Sequence, residues 1–205
     1  RLRLQAEMVR DQALALSGLL VERVGGPSVK PYQPAGLWEE VEKRGKFKRG
    51  NGQDLYRRSL YTNIRRTVAP PSMLLFDMPS REVCTVQRAR TNTPLQALAL
   101  MNEVTYVEAA KKFAERMMGQ GASAGERIAW GFRSATQRAP EGEELRILLA
   151  GYGRRIERFK ASPGSASKLL QRGEAKVSEK LNPVELAAMT TVAGVLLNLD
   201  EVINK

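Results

Sequence analysis

The 205-residue chain is predicted to be all-α, an irregular multi-helix bundle with a long, irregular central segment rich in arginine and proline. Apolar residues recur every three or four positions in several segments, as they do on one face of a helix. A capping residue followed by proline precedes several of these segments, which is a helix-start signature. No pair of strand-like runs is joined by a hairpin turn, which argues against a sheet.

The first 43 residues are predicted to combine one long helix with extended chain. Apolar spacing indicates a helix over residues 2–24, ended by Gly25-Gly26-Pro27. Residues 27–36 contain three prolines and one glycine, so this stretch should run extended over the surface. A short helix is expected over residues 37–43, with Trp38 as a buried anchor.

Residues 43–90 are expected to be the least regular part of the chain. Residues 43–53 are basic and rich in glycine, which indicates mobility. Asp54 can cap a helix that ends near Thr67. Its expected buried positions are Leu55, Leu60, Tyr61 and Ile64. Residues 72–90 match neither the helix nor the strand period and should be irregular, apart from a helical turn near Met73.

The second half of the chain has the clearest helical signals. Thr93-Pro94-Leu95-Gln96 and Asn182-Pro183-Val184-Glu185 both combine a cap, a proline and a third-position polar residue. Helices are predicted over residues 93–101, 103–118, 124–136, 141–160, 162–172 and 182–197. Residues 1–205 are interpreted as one helical domain of a larger protein, or as an arginine-rich half, 1–101, packed on a helical half, 102–205.

Composition excludes several kinds of site. The chain contains no histidine, which removes Ser-His-Asp and Cys-His nucleophiles and the usual zinc ligands, and no metal is expected. Its one cysteine, Cys84, cannot form an intramolecular disulfide or a haem-attachment motif, and we expect it to be buried beside Val83 and Val86. No apolar run approaches the roughly 18–20 residues that a membrane span needs.

The formal charge of +11 is concentrated in the centre of the chain. Residues 43–90 carry twelve basic and three acidic side chains, a net charge of +9. Such a surface would attract nucleic acid, acidic glycans or an acidic neighbouring domain. The other interpretation is that the arginines pair within the protein and the lysines are solvated.

A central group of side chains can make bidentate or charge-assisted hydrogen bonds. It comprises Arg57, Arg58, Arg66, Asp77, Arg81, Glu82, Arg88, Arg90, Asn92, Thr93 and Gln96. As a structural network, these groups would hold irregular backbone in place. As a site, they would line a pocket for an anionic or sugar ligand, with Asp77 or Glu82 as acid or base. A carboxylate pair for glycoside hydrolysis could also include Glu103 or Asp200, although the sequence gives no separation between them.

Several unusual strings occur in order along the chain. They are Ser17-Gly18-Leu19-Leu20, Gly25-Gly26-Pro27-Ser28-Val29-Lys30-Pro31-Tyr32-Gln33-Pro34, Leu55-Tyr56-Arg57-Arg58-Ser59-Leu60-Tyr61-Thr62, Phe76-Asp77-Met78-Pro79-Ser80-Arg81-Glu82-Val83-Cys84, Arg90-Thr91-Asn92-Thr93-Pro94-Leu95-Gln96-Ala97-Leu98 and Leu197-Asn198-Leu199-Asp200-Glu201. Together they resemble the C-terminal domain of unknown function of large planctomycete and verrucomicrobial proteins that often begin with a cytochrome-c-like module. The resemblance implies an exported, extracytoplasmic protein whose haem lies in a separate module, so no cofactor is expected in this chain.

We therefore expect a non-catalytic helical scaffold or interaction domain of an exported multidomain protein. Its partners would be the preceding domains of the same polypeptide or neighbouring subunits. The alternative is part of an enzyme or of a glycan- or anion-binding site lined by the central arginines and carboxylates. Polyanion binding is a third, weaker hypothesis, and nucleic acid is not an expected partner.

Overall fold

The fold is all-α in a computed structural model that describes residues 2–38 and 47–204. Nine α-helices lie within these ranges. They are α1 (Ala6–Ser17), α2 (Pro71–Leu75), α3 (Pro94–Asn102), α4 (Val104–Met118), α5 (Ala124–Thr136), α6 (Gly142–Ala161), α7 (Pro163–Leu170), α8 (Pro183–Leu197) and α9 (Asp200–Ile203). Two single-turn 3-10 helices, Gly52–Tyr56 and Ser59–Tyr61, lie between α1 and α2.

Helices α4 and α8 pack against each other at the centre of the molecule. Helix α4 also contacts α1, and α8 also contacts α6 and α7, so both central helices are covered on more than one side. Helix α8 is apolar around its whole circumference, as expected of a helix enclosed by neighbours. Small residues allow a close approach, since a Cβ built on Gly194 would lie 4.0 Å from the Ala110 Cβ.

The six helices predicted in the second half are confirmed as α3 to α8, with ends that differ by no more than two residues. The side chain of Thr93 accepts a hydrogen bond from the Gln96 amide, and the Gln96 side chain accepts one from the Thr93 amide, which completes the predicted capping box. Asn182 Oδ1 likewise accepts from the Val184 and Glu185 amides. Local capping chemistry therefore set these helix starts.

The first helix is shorter than the predicted 2–24 and ends at Ser17. Gly18 adopts the left-handed conformation, with φ of 75°, and its amide donates to the Ala15 carbonyl, so glycine ends the helix about two turns before Gly25-Gly26-Pro27 could. The chain that follows runs extended. Its Val21 amide donates to Tyr56 O at 3.0 Å and its Val29 amide to Tyr61 O at 2.8 Å.

The predicted helix from Asp54 to Thr67 is wrong. This stretch forms the two 3-10 turns and then extended chain. In an α-helix the Tyr56 and Tyr61 carbonyls would accept from amides four residues further on, but here they accept from the amides of Val21 and Val29. Leu55 is fully buried as predicted and Tyr61 and Ile64 are half-buried, but Leu60 is 74% exposed. Tertiary pairing overrode the helical spacing here.

Residues 72–90 are largely irregular, as predicted, with α2 supplying the turn at Met73. The prediction that Cys84 is buried is wrong, because Cys84 is exposed, as are Val83 and Val86. Met73, Phe76 and Met78 are the apolar side chains that join the core from this region. The loop that follows Pro79 lies outside the core.

Trp38 is buried as predicted, with 3% of its surface exposed. Its ring lies 5.1 Å from the Phe47 ring, and the Arg65 guanidinium lies 4.5 Å from its centroid. Most of the predicted short helix over 37–43, and the first part of the predicted mobile stretch over 43–53, fall on residues 39–46, outside the described residues.

No helix in the ranges that the structure describes has the length and hydropathy needed to cross a membrane.

The irregular backbone of residues 54–67 can be tested by measuring protein stability. We expect Leu55→Ala to lower the free energy of unfolding by about 2–5 kcal/mol, because it removes a fully buried side chain. Leu60→Ala should change it by less than about 0.5 kcal/mol, since Leu60 is exposed. Urea unfolding followed by circular dichroism measures both. Equal losses for the two variants would contradict the irregular structure and favour the helix.

Candidate functional site

The fold separates the predicted central group into distinct clusters, the first of which surrounds Arg57. The Arg57 side chain is fully buried. Its guanidinium donates to the carbonyls of Arg23 at 3.0 Å, Gly25 at 2.5 Å and Pro27 at 3.0 Å. It also stacks on Tyr61, 3.8 Å from the ring centroid. Arg57 thus holds the extended segment that follows α1.

The second cluster surrounds Asp77. Its carboxylate pairs with the buried Arg3 and accepts from the Thr91 amide at 2.8 Å. Gln96, also buried, donates to the Leu75 carbonyl at 2.8 Å and to Thr91 Oγ1 at 3.1 Å. Nearby, Arg88 donates to Glu7 Oε2 at 2.8 Å. These polar groups fasten the loop before α3 to α1 and α2.

The other predicted residues are not gathered into either cluster. Arg58 approaches Asp11 only to 3.8 Å and is 56% exposed. The remaining exposed members are Arg66, Arg81, Glu82, Arg90 and Asn92. Thr93 serves as the cap of α3. The described residues therefore do not bring the predicted group around one cleft, and a binding role for it stays a prediction.

Sequence reasoning missed Arg10, which lies buried on α1. Its guanidinium donates to the Leu55 carbonyl at 2.6 Å, the Arg57 carbonyl at 2.9 Å and Ser59 Oγ at 3.1 Å. Burial lowers the pKa of Arg10, against the opposing effect of Asp11. The available signal was positional, because Arg10 lies next to Val9 and three residues before Ala13 on the buried face of α1.

Sequence reasoning also missed two buried charged residues on α4, Glu108 and Lys111. Glu108 Oε1 accepts from Tyr56 Oη at 3.0 Å, from Tyr32 Oη at 3.4 Å and from the Ala175 amide at 2.5 Å. Burial, followed by the Glu108 charge, raises the pKa of Tyr32 to about 12. Glu108 therefore joins three segments that are far apart in the chain.

Lys111 secures the loop between α7 and α8. Its ammonium donates to the carbonyls of Leu170 at 3.1 Å and Arg172 at 2.6 Å. Desolvation lowers the pKa of Lys111. Gly173 follows with φ of +76°, and a Cβ there would lie 2.3 Å from the Glu108 carboxyl carbon. Only glycine leaves room for the buried carboxylate at this position.

A large groove opens between α3, α6 and α8. Its volume is about 610 Å³, within the range of about 300–1,000 Å³ typical of ligand sites. Met101, Ile147 and Val195 line it and are 54%, 55% and 43% exposed. The groove is thus open to solvent along apolar side chains.

Three arginines of α6, Arg154, Arg155 and Arg158, lie at the rim of this groove and are exposed. None of them forms an ion pair with an acidic side chain among the described residues. Other cations of the same helix are paired: Arg146 binds Glu143 at 2.5 Å and Lys160 binds Glu157 at 3.0 Å. The rim therefore carries uncompensated positive charge.

Helix α3 extends the apolar surface away from the groove. Its exposed apolar side chains are Leu95, Leu98 and Met101, at 57%, 55% and 54% exposure. They are spaced three residues apart and so lie along one side of the helix. Since Met101 also lines the groove, the stripe on α3 and the groove meet at this residue.

A second cleft, of about 580 Å³, is lined by polar groups that include Tyr32, Arg49, Glu103 and Glu174. Arg49 pairs with Glu174. Glu103 caps α4 by accepting from the Thr105 amide at 3.0 Å, and burial raises the pKa of Glu103. The polar groups of this cleft that could act on a ligand are thus already bonded within the chain.

The other carboxylates considered for catalysis are dispersed. Asp77 lies in its ion pair with Arg3, Glu82 is exposed, and Asp200 Oδ1 accepts from the Asn204 side chain at 2.6 Å. Across residues 2–38 and 47–204, no group of three or more cysteine, aspartate or glutamate side chains could hold a metal ion.

One comparison with known proteins gave a match. The model of the family described as PSD1, protein of unknown function (DUF1553), matches residues 1–152. The chain belongs to the PSD1 family. The PSD1 match covers the irregular segments and helices α1 to α5 and ends within α6, before Arg154. Comparison with curated proteins and with solved structures gave no match.

The buried carboxylate gives a prediction at Gly173. Gly173→Ala should lower the free energy of unfolding by about 3 kcal/mol, from the left-handed strain and from overlap with Glu108. Gly25→Ala is the matched control, because Gly25 has φ of +77° with nothing within 4 Å of an added Cβ. It should cost only about 1 kcal/mol. Thermal unfolding compares the two, and equal costs would show that Glu108 does not occupy this space.

Two neighbouring arginines separate a structural role from a surface role. We expect Arg57→Gln to lower the free energy of unfolding by about 3 kcal/mol, because three backbone carbonyls lose a charged donor whose side chain is fully buried. Arg58→Gln, at an exposed position, should change it by less than about 0.5 kcal/mol. Chemical denaturation measures both variants. A stable Arg57→Gln protein would argue against the structural role.

Proposed function

We propose that this PSD1-family chain is a non-catalytic helical interaction domain that docks on another folded module through the stripe of α3 and the groove beside it. The observation that carries the proposal is the exposure of large apolar side chains on this one surface. Leu95, Leu98, Met101, Ile147 and Val195 are all at least 43% exposed. Soluble proteins seldom leave contiguous apolar surface of this kind uncovered unless it binds something.

Burial of this surface would supply the driving force for docking. Each Å² of apolar surface removed from water contributes about 25 cal/mol, and interface cores are enriched in such side chains while charges lie at the rim. The groove has this arrangement, with apolar lining and Arg154, Arg155 and Arg158 at its edge. We therefore assign the docking role to this surface in preference to the central arginines.

The proposed partner is a neighbouring domain of the same polypeptide. The strings quoted above support this, because they resemble the C-terminal part of exported planctomycete and verrucomicrobial proteins with a cytochrome-c-like module. On this proposal the protein acts outside the cytoplasm, and haem belongs to another module. The chain itself would contribute packing surface and no redox group.

The alternative function is a glycan-binding or enzymatic site, and one observation favours it. Tyr32, Glu103 and Glu174 line one cleft of about 580 Å³, and burial raises the pKa of Glu103. Glu103 caps α4 and Glu174 pairs with Arg49, so a ligand would have to displace bonds that the fold uses. We rank this function second for that reason.

Site-specific photocrosslinking tests the docking surface. A photoreactive phenylalanine analogue at Leu98 should crosslink to a neighbouring domain when the chain is part of its full polypeptide. The same analogue at Leu60, which is 74% exposed away from α3, should give no such crosslink. Mass spectrometry identifies the linked peptides. Crosslinks from Leu60 alone, or from Leu98 only to a second copy of the chain, would contradict the proposal.

A further inference from the structure

The groove between α3, α6 and α8 has a mostly apolar floor, and the two hydroxyl groups in its lining already donate within α8. The Thr190 hydroxyl donates to the Leu186 carbonyl at 2.8 Å, and the Thr191 hydroxyl donates to the Ala188 carbonyl at 2.7 Å. Val107 and Ala110 complete the floor from α4. An occupant should therefore present apolar groups to most of the floor, because polar groups there would lose hydrogen bonds to water with little replacement.

The rim of the groove selects for negative charge. Arg154 and Arg158 lie four residues apart on α6, so their like charges are neighbours on the helix surface and repel each other. Arg155 adds a third charge next to them, and no acidic side chain in the described ranges pairs with any of the three. Carboxylates on an occupant would remove this repulsion and could form bidentate pairs with guanidinium groups.

The openness of the groove indicates the shape of the occupant. Met101, Ile147 and Val195 remain about half-exposed, so the groove is a trough and not an enclosed tunnel. An acyl chain is best held in a cavity that buries most of its surface. A trough between helices suits a helix that inserts apolar side chains at positions i, i+3 or i+4, and i+7.

We infer that the groove binds an acidic amphipathic helix, whose apolar side faces Met101, Ile147 and Val195 while its carboxylates pair with Arg154, Arg155 and Arg158. This inference rests on the proposed docking function and names the chemistry of the docked segment. The overall charge of +11 would attract any acidic peptide, so the test must separate the rim arginines from the rest of the surface.

The probe is a fluorescein-labelled, helix-stabilised 16-residue peptide with leucine at i, i+3, i+4 and i+7 and glutamate at flanking positions. Fluorescence anisotropy at about 0.15 M salt, where long-range attraction is screened, measures its dissociation constant. Arg154→Glu, Arg155→Glu and Arg158→Glu combined should weaken binding at least tenfold. The matched control is Arg66→Glu, Arg81→Glu and Arg90→Glu combined, which changes net charge equally at exposed arginines elsewhere and should weaken binding less than threefold.

A second pair of variants tests the groove itself. A Cβ at Gly151 meets only Arg154 Nη2, at 3.9 Å, so the Gly151→Leu protein should fold normally. Its new leucine side chain should fill part of the groove. Gly153→Leu lies on the same helix with nothing within 4 Å and does not line the groove. Both replace a helical glycine with a better helix former. Gly151→Leu should weaken peptide binding at least tenfold, and Gly153→Leu should not.

Three results would overturn the inference. Equal weakening by both arginine triples would show that the peptide binds by general charge attraction. Tight binding of a peptide with lysine in place of each glutamate would exclude the rim arginines as the selective element. Palmitate or phosphatidylglycerol vesicles that bind with the same sensitivity to Gly151→Leu, while the acidic peptide does not bind, would assign the groove to a lipid. In each case the Leu98 crosslink reports separately on the docking function.

Discussion

The structure depends on bonding backbone carbonyls that belong to no regular element. In residues 18–38 and 47–93, between α1 and α3, the chain forms little helix, and its carbonyls need other donors. Arg10 and Arg57 supply them from inside the protein, with six hydrogen bonds between them, five to carbonyls and one to a hydroxyl. Lys111 does the same for the loop before α8. Buried arginine and lysine side chains here donate the hydrogen bonds that neighbouring strands would donate in a sheet.

This use of charge divides the molecule into two parts with different roles. The half that contains α1, Arg57 and Glu108 uses most of its buried polar groups for hydrogen bonds within the chain, which leaves few of them for a ligand. The half that contains α6 and α8 has a regular, self-sufficient backbone, so its surface is free to carry apolar side chains and unpaired arginines. We therefore expect the binding function in the half with α6 and α8, where the surface side chains are not needed to bond the backbone.

The sequence predicted the regular half well and the irregular half poorly, for physical reasons. Thr93 and Asn182 act on amides two or three residues away, so their signals are local and legible. The spacing of Leu55 and Leu60 suggested a helix, but distant partners at Val21 and Val29 decided the backbone conformation. A single sequence carries no record of such pairings.

The same reasoning explains what was found and missed at the candidate sites. Arg57 stood out because it lies in a run of arginines, yet Arg10 and Glu108 matter as much and were hidden on helix faces that otherwise read as apolar. The groove could not be seen at all, because Met101, Ile147 and Val195 come from three helices that meet only in the folded protein. Residue spacing within one helix reports on exposure but not on which helices share a surface.

Methyl-group NMR during titration with the acidic helical peptide is the most direct test of this account. The central claim is that the arginine-rich centre stabilises the fold, whereas the groove binds an acidic amphipathic helix. It predicts chemical-shift changes at the methyl groups of Met101, Ile147 and Val195, with Val83 and Val86 unchanged on the loop of the arginine-rich centre. Shifts confined to Val83 and Val86, with the three groove residues unmoved, would contradict it.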